Sequence, residues 1–241
     1  MTFEITIPVL NEEETLAQQV NILFDFLSEN FPHKENWGVV IADNGSTDNT
    51  WNIANDLKAT FGNIRLVQTP KRGVGLALKT SWSSSQSDIV GYMDLDLATD
   101  LKHFHEVIQV FDNQQVDLIY GTRLHKKSEV IGRTLKREIT SRAFNFIVSH
   151  YLRTRFSDGM CGFKFLKRNH LEQLMTIGAE SDGWFFSTEL LATAEWNGLN
   201  IHELPVKWTD DVGSSKVKIF KLAKEYLKAM YDLRNRKLSL S

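Results

Sequence analysis

Residues 39–42 read Val39-Val40-Ile41-Ala42, an apolar run with no polar position on either face. A strand of that kind has to be covered on both sides, as happens in a parallel sheet flanked by helices. The neighbouring segments agree. Phe3 to Val9 is a short β-rich run, and Glu12 to Asn30 places Leu16, Val20, Leu23, Phe24 and Leu27 at helical spacing. A helix from Asn49 to Phe61, a strand from Ile64 to Gln68 and a helix from Val74 to Trp82 follow. Next come a strand from Ile89 to Met93, a helix from Leu101 to Phe111 and a strand from Asp117 to Tyr120. This alternation predicts an α/β fold with a single Rossmann-like, mostly parallel sheet and helices on both faces.

After Gly121 the alternation stops. Lys126 to Arg133 is polar and reads as a mobile loop. Leu135 to Tyr151 reads as a helix with Ile139, Phe144, Ile147 and Val148 as core positions, Phe185 to Glu195 as another helix, and Asn200 to Trp208 as a strand. From Lys216 to Lys237 a helical apolar stripe runs through Ile219, Leu222, Ala223, Tyr226, Met230 and Leu233. With no internal repeat or Pro/Gly linker, the expected organisation is one domain over residues 1–215 and a basic amphipathic helix over 216–241.

Composition excludes several classes. The chain has 241 residues, enough for a full core, and its 28 Lys and Arg against 30 Asp and Glu give a net charge of −2. That balance argues against a nucleic-acid partner, which needs a large positive field. A single cysteine, Cys161, excludes an internal disulfide framework and fits a reducing compartment. Met1 to Glu4 has no basic segment leading into an apolar one, and no apolar run approaches the roughly 18 residues of a membrane span. The expected location is therefore cytoplasmic.

In doubly wound sheets ligands bind in the loops at the carboxyl ends of strands. Polar clusters fall at four such places: Pro8-Val9-Leu10-Asn11-Glu12, Asp43-Asn44-Gly45-Ser46-Thr47-Asp48, Asp94-Leu95-Asp96 and Gly121-Thr122-Arg123. Any one of them could be ordinary turn and capping chemistry. Four at successive strand ends point to a site. Alternate carboxylates such as Asp94 and Asp96 suit a hard divalent cation, Mg²⁺ or Mn²⁺, shared with substrate phosphates. Lys71-Arg72-Gly73-Val74-Gly75, just before a helix, suits phosphate approach. The run lacks the signatures of a Walker loop and of a dinucleotide fold.

These residues together resemble glycosyltransferase family 2 enzymes with the GT-A fold, and within them the polyprenyl-phosphate (dolichyl-phosphate) mannose and glucose synthases. The likeness covers roughly residues 3 to 217. Pro8 to Glu12 matches the family's opening Pro-x-x-Asn-Glu, Asp43 to Thr50 its nucleotide loop, and Asp94 to Asp100 its metal motif. Gly121-Thr122-Arg123 resembles a Gly-Ser-Arg that faces the donor and acceptor phosphates. Arg137-Glu138-Ile139-Thr140-Ser141 resembles a helix start that binds acceptor phosphate. Asp158 to Lys164 resembles the segment under the acceptor site, and Asp182 to Leu191 with Glu203 to Trp208 complete the set.

The resemblance implies a metal-dependent inverting transfer of a hexose from a UDP- or GDP-sugar to a polyprenyl (dolichyl-type) phosphate. The donor would be held by Pro8, Asn11, Glu12, Asp43, Asn44, Ser46, Lys71, Gly75, Asp94 and Leu95. Asp94 and Asp96 would hold Mg²⁺ or Mn²⁺, and Arg137, Ser141 and Lys216 the acceptor. Arg123, Asp158 and Glu189 are the catalytic candidates, Asp158 being the first choice of base and Glu189 the second if the acceptor is a hydroxyl. Transfer to a soluble glycan or another lipid, a nucleotidyltransferase, and a nucleotide-sugar-binding protein without transfer activity are the alternatives. Two departures stand out. Ser187 occupies a place where many relatives carry an acid, and many relatives continue into transmembrane helices. From Lys216 to Lys237 eight basic residues face two acidic ones, the composition of a helix lying peripherally on anionic lipid. A homo-oligomer is compatible with all of this.

Overall fold

The computed structural model describes residues 1–33, 36–209 and 219–240. The central sheet has seven strands in the order β3-β2-β1-β4-β7-β5-β8. They are β1 (Phe3–Val9), β2 (Trp37–Asp43), β3 (Ile64–Gln68), β4 (Ile89–Met93), β5 (Leu118–Thr122), β7 (Phe163–Lys167) and β8 (Ile201–Pro205). Among the described strands of this sheet only β7 runs antiparallel to its neighbours; the other pairings are parallel. The mostly parallel α/β sheet expected from the alternation is the one observed.

Helices cover both faces, as the unbroken apolar strands require. On one side α1 (Leu16–Asn30), α2 (Thr50–Thr60) and α4 (His103–Asn113) pack on Ile5, Ile7, Val39, Ile41 and Met93. Leu16, Val20, Leu23, Phe24 and Leu27 of α1 are all buried there, so its helical stripe is the packing face. On the other side α3 (Val74–Ser83), α5 (Leu135–Leu152), α6 (Leu171–Ile177), α7 (Phe186–Trp196) and α8 (Ile219–Leu240) enclose Val90, Tyr92, Leu118 and Leu166.

The second half of the chain departs from expectation in five places. β7, between β4 and β5 in the sheet, begins within the Asp158 to Lys164 motif and is not among the expected strands. Phe163 and Phe165 face one core and Leu166 the other, with Lys164 fully buried among them. The polar run 126–133 is not simply a loop. Glu129–Ile131 forms β6, paired with β9 (Lys207–Thr209) in a second, two-stranded sheet. The partner of β6 lies far along the chain, so nothing local in the sequence marks it. The expected strand 200–208 is two strands, parting at Pro205–Val206, where the Val206 amide donates to the Thr122 carbonyl at 3.1 Å. On α5 only Val148 of the expected core positions is fully buried, while Ile139 and Ile147 are 59% and 51% exposed. Finally, the helix set apart for its charge shares the domain's own core, where Tyr226, Met230 and Leu233 are buried. None of the helices among the described residues is long and apolar enough to cross a membrane.

The antiparallel insertion imposes a glycine. Gly91 of β4 lies opposite Phe165 of β7, and a Cβ on Gly91 would come within 2.1 Å of the Phe165 ring. Gly91→Ala should therefore cost about 1–3 kcal/mol of stability through overpacking. An unchanged urea midpoint for that variant would mean that β4 and β7 are not in this register.

Candidate active site

The four polar clusters converge along the carboxyl edge of the sheet. At the end of β1, Asn11 takes a left-handed conformation (φ 54) that non-glycine residues rarely adopt. The turn it makes is fastened to the loop after β2: the Asn11 amide donates to Ser46 Oγ at 3.0 Å, and Asn11 Oδ1 accepts from the Thr47 amide at 2.8 Å. The Glu12 amide donates to Thr50 Oγ1 at 2.8 Å. Pro8 is the penultimate residue of the strand that leads into this turn. Asp43, fully buried at the end of β2, accepts from the Ser46 amide at 3.0 Å and from Gln68 Nε2 at 3.0 Å. Gly45 has φ +82, the positive φ that glycine alone takes without strain. The buried Asn44 side chain accepts through Oδ1 from the Gly73 amide. The first two clusters thus form one rigid wall.

Gly73 and Gly75, at the start of α3, lie against a second stretch of backbone. A Cβ on Gly73 would lie 2.5 Å from the Asp182 carbonyl oxygen, and one on Gly75 would lie 2.2 Å from that of Ser181. Asp182 also accepts from the Leu76 amide at 3.1 Å, and its carboxylate pairs with Lys71 at 2.8 Å and Lys79 at 3.0 Å. The helix start is filled by residues 181–183, so a phosphate could reach it only by displacing them.

At the end of β4 the Asp94 carboxylate lies directly over Gly162, where a Cβ would come within 2.0 Å of Oδ2. The Asp94 amide donates to the Gly162 carbonyl at 3.2 Å, which holds the two segments together. Leu95 is buried beneath the loop, Leu97 is left-handed (φ 51), and the exposed Asp96 accepts from the Ala98 amide at 3.0 Å. Burial, and then the neighbouring charge of Asp96, push the Asp94 carboxyl up to about 7. Such a pair repels itself and favours a cation beside it. Among the described residues no third His, Cys, Asp or Glu joins it, so this pair offers two hard carboxylate ligands. That fits Mg²⁺ or Mn²⁺, which leave the remaining positions to water and substrate phosphate.

Across β7, at the end of β5, Arg123 and the fully buried Asp158 form a closed pair. Arg123 Nε donates to Asp158 Oδ2 at 2.8 Å, Nη2 to Oδ1 at 3.0 Å, and the Arg123 amide to Oδ2 at 3.1 Å. Burial pushes the Asp158 carboxyl up, but the charge and hydrogen bonds of Arg123 outweigh it, and the group is held below its ordinary value. The guanidinium lies over Trp208, 5.4 Å from the ring centre.

Behind this pair the buried Lys164 ammonium donates to the carbonyls of Gly159 and Cys161 and to Ser187 Oγ, the last at 2.8 Å. Burial lowers its pKa to about 8. Ser187 in turn donates to the Gly159 carbonyl at 2.9 Å, so the 158–162 turn is fixed from below. Burial pushes the Cys161 thiol up to about 12, a packing group rather than a nucleophile.

Residues 4–175 match glycosyl transferase family 2. The chain belongs to that family. Among family relatives, Glycosyltransferase AglD of Haloferax volcanii is 33% identical over 88% of this chain and 34% of its own length. A dolichyl-phosphate beta-glucosyltransferase of Trichomonas vaginalis is 25% identical over 88% of this chain and 67% of its own. The chain thus spans about a third of the first relative and two thirds of the second. Among solved structures, glucosyl-3-phosphoglycerate synthase from Mycobacterium tuberculosis, in complex with Mn²⁺, UDP and glucosyl-3-phosphoglycerate, superposes with a TM-score of 0.67. It is 18% identical over 97% of this chain and 80% of that one, and it shares the GT-A fold.

The other residues singled out for the family site have partners of their own. Glu189 is buried, but its oxygens accept from the Glu180 amide (3.0 Å), the Ser181 amide (2.7 Å), Ser181 Oγ (2.6 Å) and Arg236 Nη2 (2.8 Å). None of those partners belongs to the Asp94–Arg123–Asp158 cluster. Arg137 is exposed in the first turn of α5, its amide capped by Thr134 Oγ1 at 3.3 Å, while the hydroxyl of Ser141 accepts from Arg133. Lys216 lies outside the described residues. No local signal in the sequence gives Arg133 or Trp208 a role, because the strand pairing that brings them to Arg123 is not local.

Proposed function

We propose that the chain is the catalytic domain of a metal-dependent inverting glycosyltransferase that moves a hexose from a UDP- or GDP-sugar to a polyprenyl phosphate. The observation that carries this reading is the state of its carboxylates. Asp158 and Glu189, the two acids suited to taking a proton from a hydroxyl acceptor, have their oxygens engaged by Arg123 and by Ser181 with Arg236. A phosphate acceptor is already an anion at neutral pH and needs no base. Asp158 then acts through Arg123, holding the guanidinium rigid to meet phosphate charge.

Asp94 and Asp96 would hold Mg²⁺ or Mn²⁺, which as a Lewis acid neutralises charge on the departing nucleoside diphosphate. The wall built from Asn11, Asp43 and Ser46 orients the nucleoside. Mn²⁺ and UDP are named in the complex of the mycobacterial neighbour, and dolichyl phosphate in the name of the trichomonad relative, in support of this donor and acceptor. The acceptor implies a peripheral position on the cytoplasmic face of a membrane. Leu135, Ile139 and Phe146, exposed on α5 at 75%, 59% and 69%, suit contact with lipid there.

The test is product formation. With UDP-glucose or GDP-mannose, Mn²⁺ and a short-chain prenyl phosphate, mass spectrometry should detect glycosyl prenyl phosphate of inverted anomeric configuration. The matching prenol should yield nothing. Transfer to the prenol at a comparable rate, or to neither, would dismiss the reading.

A further inference from the structure

Residues 158–162 belong to no helix or strand, yet they carry the buried Asp158 that grips Arg123. A buried turn has no ladder to satisfy its peptide groups, so side chains must do it. Gly159, the residue after Asp158, is the point where they meet. Its amide donates to Oδ1 of the buried Asn145 on α5 at 2.8 Å. Its carbonyl accepts from Lys164 Nζ at 3.2 Å, Ser187 Oγ at 2.9 Å and Thr188 Oγ1 at 3.2 Å. Side chains from α5, β7 and α7 thus converge on one residue.

Lys164 is the member of this set that the fold alone does not call for. Its ammonium is fully buried, and the groups it donates to carry no charge: the carbonyls of Gly159 and Cys161 and the hydroxyl of Ser187. The Tyr92 ring, centred 5.8 Å away, adds a weaker attraction. Taking a cation out of water into uncharged surroundings costs free energy that an apolar chain of similar length would not. What the ammonium supplies is three donors aimed at one turn. Methionine would fill the same space without that cost, and the turn would lose the donors that tie it to β7.

We propose that Lys164 is a positioning residue for the transfer, holding the 158–162 turn so that Asp158 keeps Arg123 in place. This role rests on the transfer reading above, and it runs through Asp158 and Arg123 rather than through the reacting atoms.

Two measurements test it, the first independent of any reaction. In wild type the Arg123 Nε–H, held by Asp158, should give a slowly exchanging signal in ¹H–¹⁵N spectra, assigned by its loss in Arg123→Lys. In Lys164→Met that proton should exchange with water at least tenfold faster, with a melting temperature no lower than that of wild type. The second measurement is turnover with a UDP- or GDP-sugar, Mn²⁺ and a short-chain prenyl phosphate. Lys164→Met should lower kcat 10- to 100-fold and leave the donor KM unchanged within threefold. Added to Asp158→Ala it should lower kcat no further, because both act through one pair.

A lysine that only fills the core would give the reverse pattern, a lower melting temperature with exchange and kcat unmoved, and that result would overturn the proposal. So would an additive loss in the double variant. If Lys164→Met does not fold, Ser187→Ala decides, since it removes the hydroxyl that joins Lys164 to the Gly159 carbonyl. It should speed exchange at least threefold, and unchanged exchange there would sink the idea. Faster exchange in Lys164→Met, with no transfer by wild type, would keep the hold on Arg123 and remove the prenyl phosphate acceptor.

Discussion

Asp158→Ala is expected to lower turnover at least 100-fold and to destabilise the fold by about 3–5 kcal/mol. The second figure is the usual cost of leaving one partner of a buried ion pair uncompensated. The first follows from freeing a guanidinium that two hydrogen bonds to Asp158 now hold in place, with a third from the Arg123 backbone amide. The two effects separate in the double variant Asp158→Ala/Arg123→Met. Removing the orphaned charge should restore most of the stability and none of the turnover. Equal urea midpoints for the single and double variants would show that the pair is not closed in solution.

Asp94→Asn should have the opposite signature: loss of nearly all transfer, by 1,000-fold or more, with a gain in stability. Burial and Asp96 push this carboxyl up to about 7 from an ordinary 3.8, so the folded chain holds its proton to higher pH than the unfolded chain does. By linkage, its contribution to stability declines as pH rises from about 4 to about 7. The asparagine variant carries no such group and should be more stable at neutral pH without metal, by about 1–2 kcal/mol once partial solvent screening is allowed for. Thermal melts across that pH range in chelator would reveal the difference. A destabilised variant would mean that the charge is compensated after all. A functional pair maintained at the expense of the fold is the expected pattern for a site.

The placement of the polar clusters at the strand ends was legible in the sequence because each cluster is local. Each strand end presents its own cluster within a few residues, and the apolar strands before Asn11, Asp43 and Asp94 fix where those clusters lie. What could not be read arises from pairings between distant segments. β7 carries the alternation of an ordinary strand but sits inside a motif, and only the sheet order places Lys164 beneath the site. Arg133 reaches Arg123 because β6 pairs with β9 and delivers Trp208 between them, a juxtaposition with no periodic signature. Gly73 and Gly75 show the reciprocal case. Glycine before a helix is equally apt for a phosphate and for a second backbone, and here Ser181 and Asp182 take the space. On α5, Ile139 and Ile147 have the spacing of core residues and face outward, since helical period fixes a face but not what covers it.

The central claim, that Asp94 and Asp96 make donor binding depend on a divalent cation, is open to one direct measurement. Titration of a panel of UDP- and GDP-sugars into the protein, with Mn²⁺ and again with chelator, gives the affinity in each condition. At least one donor should bind with Mn²⁺ and bind at least 100-fold more weakly in chelator. Asp96→Asn should bind that donor as weakly with the metal as wild type does without it. Full-strength donor binding in chelator, or unchanged binding by Asp96→Asn, would contradict the account.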